Sequence, residues 1–218
     1  MISQDVSFAS SPIEALKEGR LARRLTQLYA GLALYGISMA LMIQSNLGLD
    51  PWDVFHQGLA NRTPFSFGIV VILVSVVVLL LWIPLKQWPG IGTISNAIVI
   101  GLVVDGALAV IPVQTSWPLR ITFMLSGVVL NAIATAAYIG ARFGPGPRDG
   151  LMTGLVRRTG KSVRLVRTAI EVTVLVIGWL LGGTVGIGTV VYAFGIGPLV
   201  HIFLPKFAVV PAPKPTDT

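Results

Sequence analysis

Two short segments of this 218-residue chain bring together residue types that could hold a charged ligand. The first, GLDPWDVFHQGL, contains Asp53 and His56, and the second, GPGPRDGLMTGL, contains Arg148 and Asp149. Carboxylates accept hydrogen bonds and attract cations, a guanidinium attracts anions, and an imidazole exchanges protons near neutral pH. We therefore take these four side chains as candidate substrate-binding residues.

Each of the two aspartates lies in the first turn of a predicted short helix. A capping residue and a first-turn proline precede Asp53 and Asp149, which is the pattern of a helix start. One interpretation is that both acids only stabilise short connector helices over 51–62 and 147–158. The other is that these helices dip into a membrane and line a substrate site, as broken helices do in transporters built from inverted repeats. The sequence leaves both interpretations open, so either helix could be re-entrant or lie at the surface.

The two segments are equivalent parts of an internal repeat. An offset of 96 residues aligns 24–108 with 120–204 without a gap, and roughly a third of the aligned residues are identical. The identities include glycines, prolines and charged residues, and the motif GIGT precedes the last apolar stretch of each copy. Matches of this kind indicate a duplication that covers nearly all of the hydrophobic chain.

Membrane-spanning helices are the elements that must position these residues. Only 11% of the residues are charged and the mean hydropathy is +0.81, whereas soluble domains are about a quarter charged. Apolar runs of about 20 residues can cross a bilayer. The predicted spans are 25–45, 66–85, 92–111, 120–141, 165–183 and 187–205. Since each copy has three spans, the second copy enters the membrane from the opposite side.

The fold class that follows is all-α. We expect a polytopic membrane helix bundle whose six spans form two inverted three-span repeats, each with a short non-spanning or re-entrant helix. Residues 1–24 form a cytoplasmic segment, in which SPIE starts a short surface helix. The first repeat covers 25–112 and the second 120–206. The proline-rich tail, 207–218, is predicted to be disordered.

Basic residues orient this bundle. Cytoplasmic connectors carry an excess of Lys and Arg. Such an excess precedes the first span, fills the connector between spans 4 and 5, and follows span 6. Both termini are therefore predicted to be cytoplasmic, with the first repeated segment outside and the second inside. The formal net charge of +7 is explained as an orientation signal, so we expect no nucleic acid as a partner.

Three polar residues within the predicted spans complete the candidate substrate-binding set. Glu171 lies in span 5, where a buried acid is costly and often functional. Arg167, one helical turn earlier, could instead pair with it. Asn96 and Asn131 could hydrogen-bond a ligand or simply join helices. Asp105, in span 3, is interpreted as an interface residue near the headgroup layer.

The residue sets typical of enzymes are missing from the sequence. It contains no cysteine, no HExxH motif and only two histidines, which are far apart. The run GLVRRTGKS resembles a phosphate-binding loop, but five residues rather than four separate its glycines. We expect no enzymatic activity, no cofactor and no metal.

The repeated segments also carry a family resemblance. NLGLDPWDVFHQGL and GPGPRDGLMTGL, with GIGT before the third span of each copy, resemble the YczE/YyaS/YitT family of bacterial integral membrane proteins. The resemblance covers about residues 20–206. It implies a multi-pass protein of the bacterial cytoplasmic membrane, embedded in the lipid bilayer and suspected of transport. It supplies no substrate and no catalytic residue.

Two functions remain open on the sequence. We expect a small transporter that moves an unidentified small solute by alternating access at the repeat interface, because inverted halves with matching helix breaks are typical of transporters. The alternative is a non-transporting membrane scaffold that assists a partner complex. Transport predicts a polar cavity walled by both repeats, and a scaffold predicts a dry interior. The sequence leaves a homodimer open.

The inverted topology predicts that the two repeated segments face opposite sides of the membrane. A cysteine at Gln57 should react with an impermeant thiol reagent in intact cells. A cysteine at Thr153 should react only after the cells are permeabilised. The natural chain has no cysteine to interfere. Equal labelling of both positions in intact cells would contradict the inverted arrangement.

Overall fold

The computed structural model describes residues 20–209, and within that range all regular secondary structure is α-helical. It contains eight α-helices: α1 Leu21–Ser45, α2 Pro51–Ala60, α3 Phe67–Trp82, α4 Ile91–Val110, α5 Trp117–Gly140, α6 Pro147–Thr159, α7 Val163–Leu180 and α8 Ile187–Phe207. The all-α prediction is confirmed, and each predicted span and short helix coincides with one of these. The predicted surface helix in 1–24 and the tail from 210 onward lie outside the described residues.

Four helices of the described chain, α1, α4, α5 and α8, are long and apolar enough to cross a membrane. The other two predicted spans differ from them. Helix α3 is almost wholly apolar but has only 16 residues. Helix α7 has 18 residues and carries three charged side chains, Arg164, Arg167 and Glu171.

The outside of the bundle is apolar, whereas parts of its interior are polar. Large apolar side chains such as Leu102 and Phe194 are 62% and 79% exposed. Arg24, Asp50 and Asp53 are at most 2% exposed. Charged residues are rarely buried in soluble proteins unless paired, and an apolar surface of this extent indicates a lipid environment.

A central pair of helices, α1 and α5, forms the middle of the bundle. Helix α4 packs against α1, and its counterpart α8 packs against α5. Each short helix crosses to the other copy, so that α2 packs against α7 and α6 against α3. The two copies are therefore interlocked, and the core lies between them.

Two equivalent arginines hold the central pair together. The Nε of Arg24 donates to the carbonyl of Ala141 at 3.0 Å, and its Nη2 donates to the next carbonyl at 3.1 Å. The Nε of Arg120 donates to the carbonyl of Ser45 at 2.8 Å, and its Nη2 to the next carbonyl at 2.5 Å. Each guanidinium thus satisfies carbonyls at the C-terminus of the opposite helix, where the helix dipole favours a cation. Helices α1 and α5 therefore run antiparallel.

The GIGT motif docks each copy onto the bend of the other. The N–H of Gly92 donates to the carbonyl of Phe143 at 2.9 Å, and the N–H of Gly188 donates to that of Leu47 at 2.8 Å. A Cβ on Gly92 would lie 3.0 Å from the Phe143 carbonyl group. Only glycine permits so close an approach between the two backbones. The motif therefore positions the N-termini of α4 and α8 beside the bends that follow α5 and α1.

One helix contact of the first copy is nearly absent from the second. Helices α3 and α4 pack closely, but the equivalent pair α7 and α8 is nearly out of contact. A Cβ on Gly101 of α4 would lie 2.5 Å from a side-chain carbon of Ile72 and 2.6 Å from the Gly68 carbonyl oxygen. A Cβ on the equivalent Gly197 of α8 would meet nothing within 4 Å. We call the tightly packed pair α3 and α4 closed and the loosely packed pair α7 and α8 open.

This difference predicts opposite effects of the same substitution at equivalent positions. Gly101→Ala should destabilise the protein by about 1–3 kcal/mol because the added methyl group overpacks the contact between α3 and α4. Gly197→Ala should be neutral, or stabilise by up to about 1 kcal/mol, because alanine favours a helix. Unfolding of the detergent-solubilised variants measures both effects. Equal destabilisation by the two substitutions would contradict the closed and open contacts.

Candidate functional site

The N-terminal turns of α2 and α6 meet inside the bundle. Asp50 precedes α2, and its Oδ1 accepts hydrogen bonds from the N–H groups of Trp52 at 2.9 Å and Asp53 at 3.3 Å. The same oxygen accepts from Nη1 of Arg148, in the first turn of α6, at 3.3 Å. The proline-bearing helix starts of the two copies are thereby joined by an ion pair. We call Asp50, Asp53, His56 and Arg148 the central cluster.

Arg148 is oriented but not enclosed. Its Nη2 lies 3.4 Å from the hydroxyl of Tyr35, and its guanidinium carbon lies 5.6 Å from the centre of the Trp52 ring. The side chain is 27% exposed, whereas that of Asp50 is 2% exposed. The Arg148 side chain is therefore partly accessible, although both of its terminal nitrogens have partners.

Asp53 and His56 form the other half of the central cluster. The Nδ1 of His56 lies 3.2 Å from Oδ1 of Asp53, and both residues are at most 2% exposed. The rings of Trp52, Phe55 and Phe67 surround the imidazole, with centres 6.1 to 6.4 Å from its own. These rings give the pair mainly apolar surroundings.

A small cavity adjoins the central cluster between α2, α3, α4 and the start of α6. Its volume is about 20 Å³, which is room for about one water molecule. Its polar lining consists of His56, Ser75, Asn96 and Arg148. Both copies contribute to the wall of this cavity.

Burial shifts the pKa of the acids and the base of the central cluster, which lie outside the long helices. Burial raises the pKa of Asp50 to about 7; the neighbouring Asp53 adds to this shift and Arg148 opposes it. Burial also raises the pKa of Asp53. Burial, followed by the charge of Arg148, lowers the pKa of His56 to about 3. The histidine is therefore neutral at pH 7, and the two acids hold protons more readily than exposed acids do.

Two further candidates, Asp149 and Asn131, lie in polar contacts of the second copy. The hydroxyl of Tyr138 donates to Oδ2 of Asp149 at 2.9 Å. Asn131 is buried; its Nδ2 donates to Ser38 Oγ at 3.0 Å, and its Oδ1 accepts from the Tyr192 hydroxyl at 2.9 Å. Asn131 thus joins α1, α5 and α8. Its two groups are occupied by protein partners, whereas Asn96 faces the cavity.

Glu171 has a different setting. Its Oε1 accepts from Nε of Arg167 at 2.8 Å, and the two side chains are 36% and 55% exposed. Within residues 20–209 this is its one recorded hydrogen bond. The equivalent residue in the first copy, Ser75, lines the cavity. Glu171 therefore occupies the matching position on the open side, and its part in substrate binding stays a prediction.

Sequence reasoning missed Asp50 as a functional residue. The Asp-Pro pair predicted a helix cap, and Asp50 does cap α2. Its second partner, Arg148, is 98 residues away and belongs to the other copy. The signal that could have revealed the contact is the predicted inversion of the second copy, which would bring the two helix starts face to face.

Comparison with known proteins shows the family of the chain. Residues 22–205 match a family of unknown function, DUF6198. The chain belongs to this family. It is 40% identical over 189 residues to an uncharacterized protein of Haemophilus influenzae, covering 87% of each chain. It is 31% identical over 188 residues to the uncharacterized membrane protein YczE of Bacillus subtilis, covering 85% of this chain and 87% of YczE.

A third relative is more distant. The uncharacterized protein YyaS of Bacillus subtilis is 27% identical over 179 residues, covering 80% of this chain and 89% of YyaS. The resemblance to YczE and YyaS that the repeated motifs predict is confirmed. No solved structure matches the chain.

The ion pair between the copies should appear as a pH-dependent coupling energy. Arg148→Gln leaves the ionised Asp50 without its cation and should destabilise the protein by about 1–3 kcal/mol at pH 8.5. Asp50→Asn keeps the helix cap. The double variant should lose less than the sum of the two single losses, by about 0.5–3 kcal/mol.

The coupling should shrink at pH 5.5. Because the pKa of Asp50 is raised to about 7, the acid is mostly protonated there and attracts Arg148 less. Unfolding of the four proteins in detergent at both pH values gives the coupling energy. Additive losses at pH 8.5 would mean that the ion pair does not hold the helix starts together.

Proposed function

We propose that this protein is a small transporter that moves a small solute across the bacterial cytoplasmic membrane by alternating access. The observation that carries this proposal is the buried central cluster. It combines side chains from both copies, at two facing helix breaks, beside a polar cavity. Ligand sites at paired helix breaks between inverted halves are typical of transporters.

Six spans in two inverted repeats form part of the proposal. The antiparallel α1 and α5, joined by equivalent arginine contacts, support the inversion. The basic residues between α6 and α7 support a cytoplasmic position for that connector. We propose that α3 and α7 also cross the membrane, since each runs between connectors assigned to opposite sides.

The difference between the helix pairs supports alternating access. Asp105 of α4 closes one pair, because its Oδ2 accepts from the hydroxyl of Ser66 at 2.5 Å and its Oδ1 accepts from the N–H of Gly68 at 2.7 Å. The equivalent positions in the second copy are Ser162, Arg164 and His201. In the described part of the chain no hydrogen bond joins His201 to either of the other two residues.

One side of the central cluster is therefore closed and the other open. Ser75 faces the cavity behind the Asp105 contact. Its counterpart Glu171 is 36% exposed beside the loosely packed α8. With the topology proposed above, the Asp105 contact seals the outer side. Exchanging the two arrangements between the copies would open the outside and close the inside.

Within this proposal the central cluster binds the solute. Arg148 and His56 line the cavity, Asp50 and Asp53 hold them, and Asn96 completes the polar wall. With room for about one water molecule, the cavity would have to widen to admit a solute, and the mixture of acid and guanidinium suits a polar one. Asp149, Asn131 and Glu171 remain proposed members of the pathway.

Access to the two sides should change in opposite directions when the Asp105 contact is removed. A cysteine at Ser75 should react slowly with an impermeant thiol reagent added from outside. Adding Asp105→Ala should speed this reaction about tenfold, since each 1.4 kcal/mol of lost closure changes the open population tenfold. A cysteine at Glu171 should then react more slowly from the inside.

The matched control for this experiment is His201→Ala at the equivalent, unclosed position, which should leave the Ser75 cysteine unchanged. The cysteine-free natural chain provides a clean background. A faster reaction of the Ser75 cysteine with no slower reaction of the Glu171 cysteine would mean that the two sides open independently. Such a result would favour a non-transporting scaffold.

A further inference from the structure

We propose that the central cluster binds one proton, held between the carboxyl groups of Asp50 and Asp53, and that this proton is the ion coupled to solute movement. The coupling rests on the proposed transport function. The proton site itself rests on the charges and contacts of the cluster.

The charge balance of the central cluster requires one positive charge more than its side chains supply. Asp50 and Asp53 would carry two negative charges in the interior, and Arg148 supplies one positive charge. Within residues 20–209, Arg148 and His56 are the basic side chains recorded at ion-pair distance from these acids. An unpaired charge is strongly disfavoured in a buried site. One added proton makes the cluster neutral.

The contacts of Asp50 indicate where this proton lies. Its Oδ1 has three donors, but its Oδ2 is buried and has no hydrogen-bond partner in the described part of the chain. Asp53 lies three residues further along, in the first turn of the helix that Asp50 caps, and both acids are at most 2% exposed, so the two carboxyl groups share one buried site. Two carboxyl groups that share a site hold one proton between them, because both cannot be ionised together at low cost. The proton would provide the donor that Oδ2 lacks.

The other groups around the pair do not replace this proton. The hydroxyl of Tyr35 on α1 lies 3.4 Å from Nη2 of Arg148, and that of Tyr192 on α8 donates to Asn131. On α6, Asp149 is acidic and already accepts from Tyr138. The aromatic rings around His56 disfavour its charged form, and burial lowers its pKa. The carboxyl pair is therefore the favoured proton carrier.

The same arrangement couples the proton to the movement of the two copies. The acids belong to the first copy and Arg148 to the second. Without the proton, two carboxylates attract Arg148 and hold the starts of α2 and α6 together. With the proton bound, the attraction weakens and the guanidinium is released toward the cavity. The carboxyl pair takes up the proton from water on one side of the membrane and releases it to water on the other side. The only bond that forms and breaks in the protein is the O–H bond.

Infrared spectroscopy of the purified full-length protein in detergent tests the site. At pH 6 the spectrum should contain the C=O stretch of a buried protonated carboxyl group. The band should disappear as the pH rises through about 7, where Asp50 loses its proton. Asp50→Asn should abolish the band at pH 6, because Arg148 then balances the remaining Asp53.

The decisive comparison is the double variant Asp50→Asn/Arg148→Gln. Removing the guanidinium leaves Asp53 without a cation, so the proton and its band should return. Asp149→Asn is the matched control and should keep the original band. A band that persists in Asp50→Asn, or that does not return in the double variant, would overturn the proposal.

These outcomes are separate from the test of transport. The spectra report protonation whether or not the helices alternate. If the labelling rates at Ser75 and Glu171 change in opposite directions but the infrared C=O band is absent, the transport proposal stands and the proton site is excluded. If the infrared band is present but the two labelling rates do not change in opposite directions, the proton site stands and its coupling to movement is excluded.

Discussion

The arrangement of the whole bundle depends on two arginines that each hold the C-terminus of a helix in the opposite copy. Arg24 is 1% exposed and donates to two carbonyls at the end of α5, and Arg120 does the same at the end of α1. Hydrogen bonds from a charged donor contribute about 1.5–3 kcal/mol each. They fix the antiparallel crossing and hold both helix ends where the chain bends. The backbones of the two GIGT motifs pack on those bends. The N-terminal ends of the two short helices, α2 and α6, then face each other.

The repeat is approximate, and its departures from symmetry create the site. Trp52 in the first copy is replaced by Arg148 in the second, and Asp50 by Gly146. The facing helix starts therefore form one ion pair, whereas an exact repeat would place each aspartate opposite a tryptophan. The packing between each short helix and its neighbour in the other copy also departs from symmetry. Trp82 of α3 packs on Gly150 of α6 and donates to the Pro147 carbonyl, whereas Gly178 of α7 packs on the backbone of α2.

Local patterns in the sequence predicted the helices, and the offset of 96 residues predicted their equivalence. The pair of Arg167 and Glu171 was also predictable, because it lies within one helical turn. The contact of Asp50 with Arg148 was not, since it depends on how α1 and α5 cross. The contact of Asp105 with the start of α3 was not predictable either, and its expected position near the headgroup layer stays a prediction. Its partners Ser66 and Gly68 lie on α3, and sequence spacing alone does not place α3 against α4.

Distances between spin labels on equivalent helix pairs test the alternation directly. Labels at Leu73 and Ile98 report on α3 and α4, and labels at Ala169 and Phe194 report on α7 and α8; all four positions are exposed. If the copies exchange arrangements, each pair should show a short and a long distance. Asp105→Ala should then lengthen the first pair and shorten the second. A single distance for each pair, unchanged by that substitution, would contradict alternating access.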